Sequence, residues 1–444
     1  MGQILGTIFA FSIVFGVLVF IHEFGHFFAA KLNKVKVEVF SWGYGKRLFG
    51  IKKGDTDYRV SIFPLGGFVK FSGEEAIGLE RPLVPHDFMA KKRWQRFIII
   101  AMGPVMNIVL AVVLFAFINL VGVTVPEYQD QAPVIGWIEP GSPAEQSNLQ
   151  IDDEILSINK KKTKTWSEVE LAVGTKPEKL ITLEVKRGDK VLAVELMTEK
   201  KTRYEMGYAG FFGKILTQVA VVLPGSPAEN GGMEAGDVIL AINGKPVYFY
   251  QFIEIIEKNA GHELEFLIER DGATKTLRIT PHLEGKIGKI GIGPAPKSVI
   301  KKYGLFGAVH QSLKESIRMT FLVINFLKNL ITGEASPRQL GGPIEIANIS
   351  YAAFRMGLIA MMSWIAIISL QLGIINLFPI PVLDGGHLLV LLLEGITRKD
   401  FSLKVKQIVM QIGFAIFVLL IVFAVLNDVT RRLPNGWESL LFWK

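Results

Sequence analysis

His22-Glu23-Phe24-Gly25-His26 sets two imidazoles four residues apart, with a carboxylate beside the first. On a helix, positions i and i+4 share one face, so both rings can bind one Zn²⁺ while Glu23 acts as general base. With 7 His and 41 acidic residues in 444, this pattern arises by chance about 0.01 times per chain. It also ends an uncharged apolar run, Ile4 to Ile21, where ionisable groups are costly and usually functional. Histidines that merely flanked a helix end would leave Glu23 without a use.

Zinc at a catalytic site needs a third protein ligand and an open position for water. The chain has no cysteine, so that ligand is a His, Asp or Glu. Asn376-Leu-Phe-Pro-Ile-Pro-Val-Leu-Asp-Gly-Gly-His387 is the second apolar segment that carries chemistry. Pro379 and Pro381 remove backbone donors and break the helix, which membranes tolerate where the backbone is buried in protein or lines an aqueous cavity. Asp384 follows the break, beside Gly385-Gly386 where backbone can approach closely, and is the expected third ligand. His387 and Glu394 are its rivals, the first better suited to supporting the site or capping a helix, the second far along the chain. Asn376 has two readings: an amide donor to a tetrahedral oxyanion, or a polar group that satisfies backbone freed by the prolines. A zinc ion held here makes water a nucleophile near neutral pH, and Glu23 takes its proton and passes it to the leaving amine.

These residues need elements that carry them into lipid. Half of the chain is hydrophobic, and the excess is concentrated in runs rather than spread. Besides the first run, Phe97–Val125, Met356–Leu383 and Ile408–Leu426 contain stretches near the roughly 20 residues that cross a bilayer. The first run lacks a preceding basic residue and a small-residue cleavage site, so it reads as a mature helix rather than a signal peptide. The net charge of +8 lies in loops beside these runs and forms no long basic stripe, which argues for membrane orientation and against nucleic acid. Lys and Arg between Lys31 and Arg96, and again at Arg398, Lys399, Lys404 and Lys406, place those loops in the cytoplasm. Both termini and residues from about 125 to 350 are then outside it, although Arg431-Arg432 pulls weakly the other way. His22 follows roughly 18 apolar residues, about 27 Å of helix, so the metal lies toward the cytoplasmic side.

The outer portion repeats itself. Pro140-Gly-Ser-Pro-Ala-Glu145 and Asp153-Glu-Ile-Leu-Ser-Ile-Asn159 recur 84 residues later as Pro224-Gly-Ser-Pro-Ala-Glu229 and Asp237-Val-Ile-Leu-Ala-Ile-Asn243. Short β-rich runs surround them, and the pattern resembles bacterial PDZ domains, modules that add an extended peptide to a sheet edge. Residues 33–96 hold a glycine-punctuated, strongly apolar β-hairpin or small sheet that dips toward the bilayer. Residues 298–332 read as an interfacial amphipathic helix.

The expected fold is a polytopic α-helical membrane protein with four transmembrane helices, a membrane-associated β-hairpin or sheet, and two tandem PDZ domains. The spans are 1–32, 97–122, 356–384 and 407–427, the PDZ domains 125–205 and 206–292, and the tail 428–444. His22-Glu-Phe-Gly-His26, Gly103-Pro104-x-x-Asn107, the tandem modules and Asn376-x-x-Pro-x-Pro-x-Leu-Asp-Gly-Gly386 together resemble the site-2 proteases across nearly the whole chain. The resemblance implies that His22, His26 and Asp384 bind zinc, that Glu23 is catalytic and that Asn376 assists substrate binding or turnover. It further implies a bacterial inner-membrane enzyme that cuts single-span proteins, namely anti-sigma factors already trimmed by another protease and remnant signal peptides. The family's β-loop falls at about 36–75, and its PDZ pair is expected to filter substrates by size. Lys160-Lys161-Lys162 stands where the second PDZ copy has Gly244-Lys245-Pro246, so the first copy is the more diverged. Two competing readings remain, a metalloprotease that cuts exposed loops and a PDZ scaffold with a fossil metal site.

Overall fold

The computed structural model describes residues 2–74, 82–201, 204–285 and 287–432. In chain order the helices are α1 (Gly2–Leu32), α2 (Arg93–Val121), α3 (Pro143–Gln146), α4 (Trp166–Gly174), α5 (Pro227–Asn230), α6 (Phe249–Lys258), α7 (Leu305–Ile331), α8 (Pro343–Met356), α9 (Leu358–Asn376), α10 (Asp384–Thr397) and α11 (Leu403–Thr430). They belong to two compact units, one of Met1–Gly122, Lys302–Leu327 and Leu340–Lys444, the other of Val123–Lys301 and Lys328–Gln339.

Four helices in the first unit, α1, α2, α9 and α11, are long and apolar enough to cross a membrane. Ala10, Val14 and Leu18, four residues apart, bury one stripe of α1, while Ile4, Ile8, Phe9 and Phe20 stay exposed. An exposed apolar surface of this extent fits lipid and not water. Small residues set the packing distances. A Cβ on Gly25 would lie 2.3 Å from the Met102 carbonyl oxygen, and one on Gly373 would lie 2.8 Å from that of Pro104. α1 against α2, and α2 against α9, therefore approach with backbones almost touching, as small residues allow in membrane bundles.

The expected hairpin or small sheet is a two-stranded sheet that doubles back on itself. Its two strands, Val37–Lys53 and Thr56–Phe71, bend back on themselves. Arg47 pairs with Ser61 and Lys53 with Thr56, while Val39 lies beside both Asp57 and Lys70, and Trp42 beside both Val60 and Gly67. The runs 47–53 and 63–71 are thus the two edges. Gly43, Gly45 and Gly66, all with positive φ, supply bends that residues with a Cβ resist.

Three boundaries differ from the sequence expectation. Residues 298–301 form a strand paired with Val123–Pro126, and α7 starts only at Leu305, because β-branched Val299 and Ile300 find a strand partner. The expected third span, 356–384, holds α9 and then the break at 377–383, and α10 begins at its last residue, Asp384. Ahead of it stands α8, opened by Gly342-Pro343 and ended at Gly357, φ 105°. The Asp428 carboxylate of α11 accepts the main-chain N–H groups of Gly342, Ile344 and Glu345, satisfying the free donors at the α8 N-terminus. Most of the expected tail, 433–444, lies outside the described residues.

In the second unit the repeat folds as two β-rich modules. The first has a sheet in the order Lys161–Lys162, Glu154–Ile158, Leu180–Arg187, Lys190–Met197, with Ile135–Ile138 paired to Phe211–Gly213. The second runs Ala273–Ile279, Leu264–Arg270, Val238–Ile242, Thr217–Val222, Ile292–Pro296. Period-two alternation buries Ile181, Leu183 and Val185 in one core and Leu264, Phe266 and Ile268 in the other. Corresponding details recur: Ser142 and Ser226 cap α3 and α5, and Gly210 and Gly291, both at φ 80°, pack against those serines. The Asp153–Arg187 pair is matched by Asp237–Arg270.

Candidate metal centre

α1 presents His22 and His26 one turn apart toward α2. Room for both rings comes from Gly103, where a Cβ would lie 2.3 Å from His26 Nε2 and 3.0 Å from His22 Cε1. His26 Nδ1 is 2.9 Å from the Ile99 carbonyl oxygen, a bond that puts the proton on Nδ1 and leaves the Nε2 lone pair free. His22 Nδ1 lies 3.3 Å from the amide of Asn107.

Asp384 reaches these rings because the α9–α10 break turns the chain tightly. A Cβ on Gly385 would lie 2.0 Å from the Phe378 carbonyl oxygen, and one on Gly386 2.5 Å from that of Ile380, so the first turn of α10 folds directly over the break. Val382, a β-branched residue, takes φ 85° two residues before Asp384. Such a conformation costs about 1–3 kcal/mol and persists only where surrounding structure imposes it.

The outcome is a three-residue cluster with its ligand atoms within 4.8 Å of one another. His22 Nε2 is 3.1 Å from Asp384 Oδ2, His26 Nε2 is 3.6 Å from Oδ1, and the two Nε2 atoms are 3.2 Å apart. Tetrahedral zinc with bonds of about 2.0–2.1 Å separates its ligand atoms by about 3.3 Å, so spacing and donor types fit this metal. The three side chains keep 11%, 12% and 18% exposure, enclosed yet open to water.

The other candidates are placed as follows. Glu23 neighbours His22 and lies under the 63–71 edge of the sheet, where a Cβ on Gly67 would be 3.4 Å from Glu23 Cγ. Asn376 is the last residue of α9, partly exposed, and its amide makes no hydrogen bond among the described residues. His387 is exposed and outside the ligand cluster. Glu394 is fully buried, pairs with Lys406 at 2.6 Å and accepts the Phe401 N–H, tying α10 to the start of α11.

Along residues 10–420 the chain matches Peptidase family M50. The chain belongs to this family. It is a zinc metalloprotease of the intramembrane, site-2 type. M50 relatives match it nearly end to end. The regulator of sigma E protease of Salmonella typhi is 34% identical over 452 residues, covering 97% of this chain and 99% of that protein. The regulator of sigma-E protease RseP of Escherichia coli (strain K12) is 33% identical over 445 residues, covering 95% and 98%. A Neisseria meningitidis relative with the words zinc metalloprotease in its name is 31% identical over 454 residues, covering 96% and 99%. Among solved structures, the PDZ domain of the SdrC-like protein from Listeria monocytogenes covers 19% of this chain and 90% of its own at 23% identity, with a TM-score of 0.17.

Sequence reasoning gave no role to Gly103, the Ile99 carbonyl or Asn107. The available signal was a buried-type amide inside an uncharged span, which has to find a polar partner.

Proposed function

We propose that His22, His26 and Asp384 hold the zinc ion of an endopeptidase that cuts within or near the transmembrane segments of single-span proteins. The observation that carries this is the convergence of three ligand atoms from opposite ends of the chain at zinc-like spacing. When bound, zinc supplies Lewis acidity that polarises a peptide carbonyl and makes water nucleophilic at neutral pH. Glu23 acts as general base toward that water and returns the proton to the leaving amine. Asn376, whose amide is not engaged with the backbone of the break, donates to the oxyanion.

A transmembrane helix has its backbone hydrogen bonds already satisfied, so the substrate must be held extended. Strand addition to the 63–71 edge does this. Phe71 donates its N–H outward to Glu74 rather than into the sheet, so by the two-residue period Val69 and Gly67 present their main chain on the same outer edge, where the Val69 N–H faces the Glu23 carboxylate.

The substrates are an anti-sigma factor after its first cleavage and remnant signal peptides, in the envelope stress response; the relatives named as regulators of sigma E support this assignment. The enzyme resides in the bacterial inner membrane, with both termini periplasmic and the active site toward the cytoplasm, as the basic loops argue. The repeat modules, 125–205 and 206–292, form a periplasmic tandem PDZ pair that restricts access to trimmed substrates.

The test is cleavage of a single-span substrate by wild type and Glu23→Gln in liposomes, with the cut site mapped, beside metal analysis of wild type and Asp384→Asn. A cut inside the hydrocarbon region, lost in Glu23→Gln, is expected. Cutting in an exposed loop supports a loop-directed metalloprotease instead, and unchanged processing in Glu23→Gln removes the assignment of Glu23.

A further inference from the structure

We propose that Asn107 sets the tautomer of His22: its side-chain oxygen accepts Nδ1–H, so that the Nε2 lone pair is directed at the metal. This rests on the zinc-ligand reading above, and the two are separable by experiment.

A ligating histidine nearly always gives its other ring N–H to an acceptor, which fixes both ring orientation and tautomer. For His26 that acceptor is the Ile99 carbonyl, at 2.9 Å. Asn107 stands eight residues further along α2, about two turns, and so on nearly the same face. It is fully buried, and its amide nitrogen is placed 3.3 Å from His22 Nδ1, while Oδ1 is buried with no partner among the described residues. The nitrogen and oxygen of an amide are told apart only by what they bond. With the nitrogen facing the ring, Nδ1 must accept and the proton moves to Nε2, which is only 3.2 Å from His26 Nε2 and 3.1 Å from Asp384. Rotating the amide by half a turn puts the orphaned oxygen against Nδ1 and frees Nε2.

The site is built to hold this amide still. The main-chain carbonyl oxygen of Asn107 accepts the hydroxyl of Ser369, fully buried on α9, at 2.8 Å, which fixes the backbone that carries the amide. A Cβ on Gly373, one turn beyond Ser369, would lie 3.4 Å from Asn107 Cβ. Asn107 is thus a positioning residue, fixed between α1 and α9.

The experiment measures zinc affinity of the purified full-length protein by chelator competition. Asn107→Leu, similar in volume but without an acceptor, is expected to lose 10–100-fold. Asn107→Asp, which keeps an oxygen in the same place, is expected to restore affinity to within several-fold of wild type. A purely structural role would affect both variants alike, and would appear in the thermal unfolding of the metal-free proteins. Wild-type affinity in a folded Asn107→Leu overturns the proposal. A second measurement does not depend on the variant folding: nitrogen-15 spectra of the histidine-labelled, zinc-loaded wild type. His22 protonated on Nδ1 is the expected result, and a proton on Nε2 overturns it. If Asp384→Asn loses zinc while Asn107→Leu keeps it, only this inference fails; if Asp384→Asn binds zinc as wild type does, the ligand reading fails and this with it.

Discussion

Nε2 of His22 lies 3.1 Å from Oδ2 of Asp384, although the two residues stand near opposite ends of the chain. With His26 they form the cluster on which the proposed chemistry turns. Removing a charged ligand and removing a base have different signatures. Asp384→Asn should lose both zinc and cleavage. Glu23→Gln should keep stoichiometric zinc and lose cleavage by about 10²–10⁴-fold, the usual contribution of general acid–base catalysis. Metal analysis beside single-turnover cleavage checks both, and zinc loss in Glu23→Gln would count against its role as base.

Gly103 is the space that the two imidazoles occupy. Gly103→Ala would put a methyl group 2.3 Å from His26 Nε2, and that ring is fixed by its bond to Ile99. The expected cost is about 1–3 kcal/mol of stability, typical of overpacking, with a much larger loss of zinc affinity. Thermal unfolding and chelator competition on the same sample separate the two effects. Unchanged zinc affinity would mean that the rings can move aside.

Val69→Pro removes a donor from the outward edge of the sheet without touching the pairing of residue 69 with Phe40. The Val69 N–H also faces Glu23, so both activities fall somewhat, but cleavage of a transmembrane substrate should fall at least tenfold more than that of a short, already extended peptide, with zinc content retained. Equal loss on both substrates would show damage to the site rather than to strand addition.

Val382 holds φ 85° beside Asp384. Val382→Gly relieves about 1–3 kcal/mol of strain and adds about 0.5–1 kcal/mol of unfolded-chain entropy cost. Stability should therefore change by between about 0 and +2.5 kcal/mol, while cleavage falls because Asp384 is held less firmly. A clear drop in the unfolding midpoint would indicate that the valine side chain matters more than its backbone.

The second module depends on Asp237. Burial alone would raise its pKa, but paired hydrogen bonds from Arg270 at 2.6 and 2.7 Å, the Glu234 N–H and the positive charges of Arg270 and Lys275 hold it below the ordinary carboxylate range. A carboxyl group depressed in the folded state contributes stability above its unfolded pKa, about 3.9, and loses that contribution as pH falls through the folded value. Hydrogen-exchange protection of Leu264–Arg270 in the full chain should be flat from pH 7 to about 4 and then decline. Arg270→Ala should remove about 3–5 kcal/mol at neutral pH, since it leaves a buried carboxylate unpaired. A decline that begins near pH 6 would assign the transition to another group.

What was legible in the residues follows from range. Long uncharged runs are readable because spanning a bilayer is a property of one segment, and α1, α2, α9 and α11 are the four helices among the described residues that qualify. The repeat was readable because its turns and Asp-x-Ile-Leu-x-Ile-Asn runs are local. The break after α9 was readable from Pro379 and Pro381, with Asp384 following it; how tightly the chain turns there was not, and Gly385 and Gly386 against Phe378 and Ile380 decide that. Nor was the doubling back of 37–71, which depends on pairings between runs that sequence order alone leaves open.

By itself the sequence determined that His22 and His26 share a helix face, because 3.6 residues per turn allows nothing else in an uninterrupted apolar run. It favoured Asp384 over His387 and Glu394, from the proline break and the glycines beside it, but no local rule relates α10 to α1. The tertiary structure sets the three apart by place: Asp384 opens α10 against both rings, His387 is exposed, and Glu394, about 15 Å further along the helix, is engaged by Lys406. The reason is distance. Gly25 and Gly373 bring the backbones of α1, α2 and α9 nearly into contact, Gly103 leaves room for the two rings, and such contacts exist only once the chain has packed.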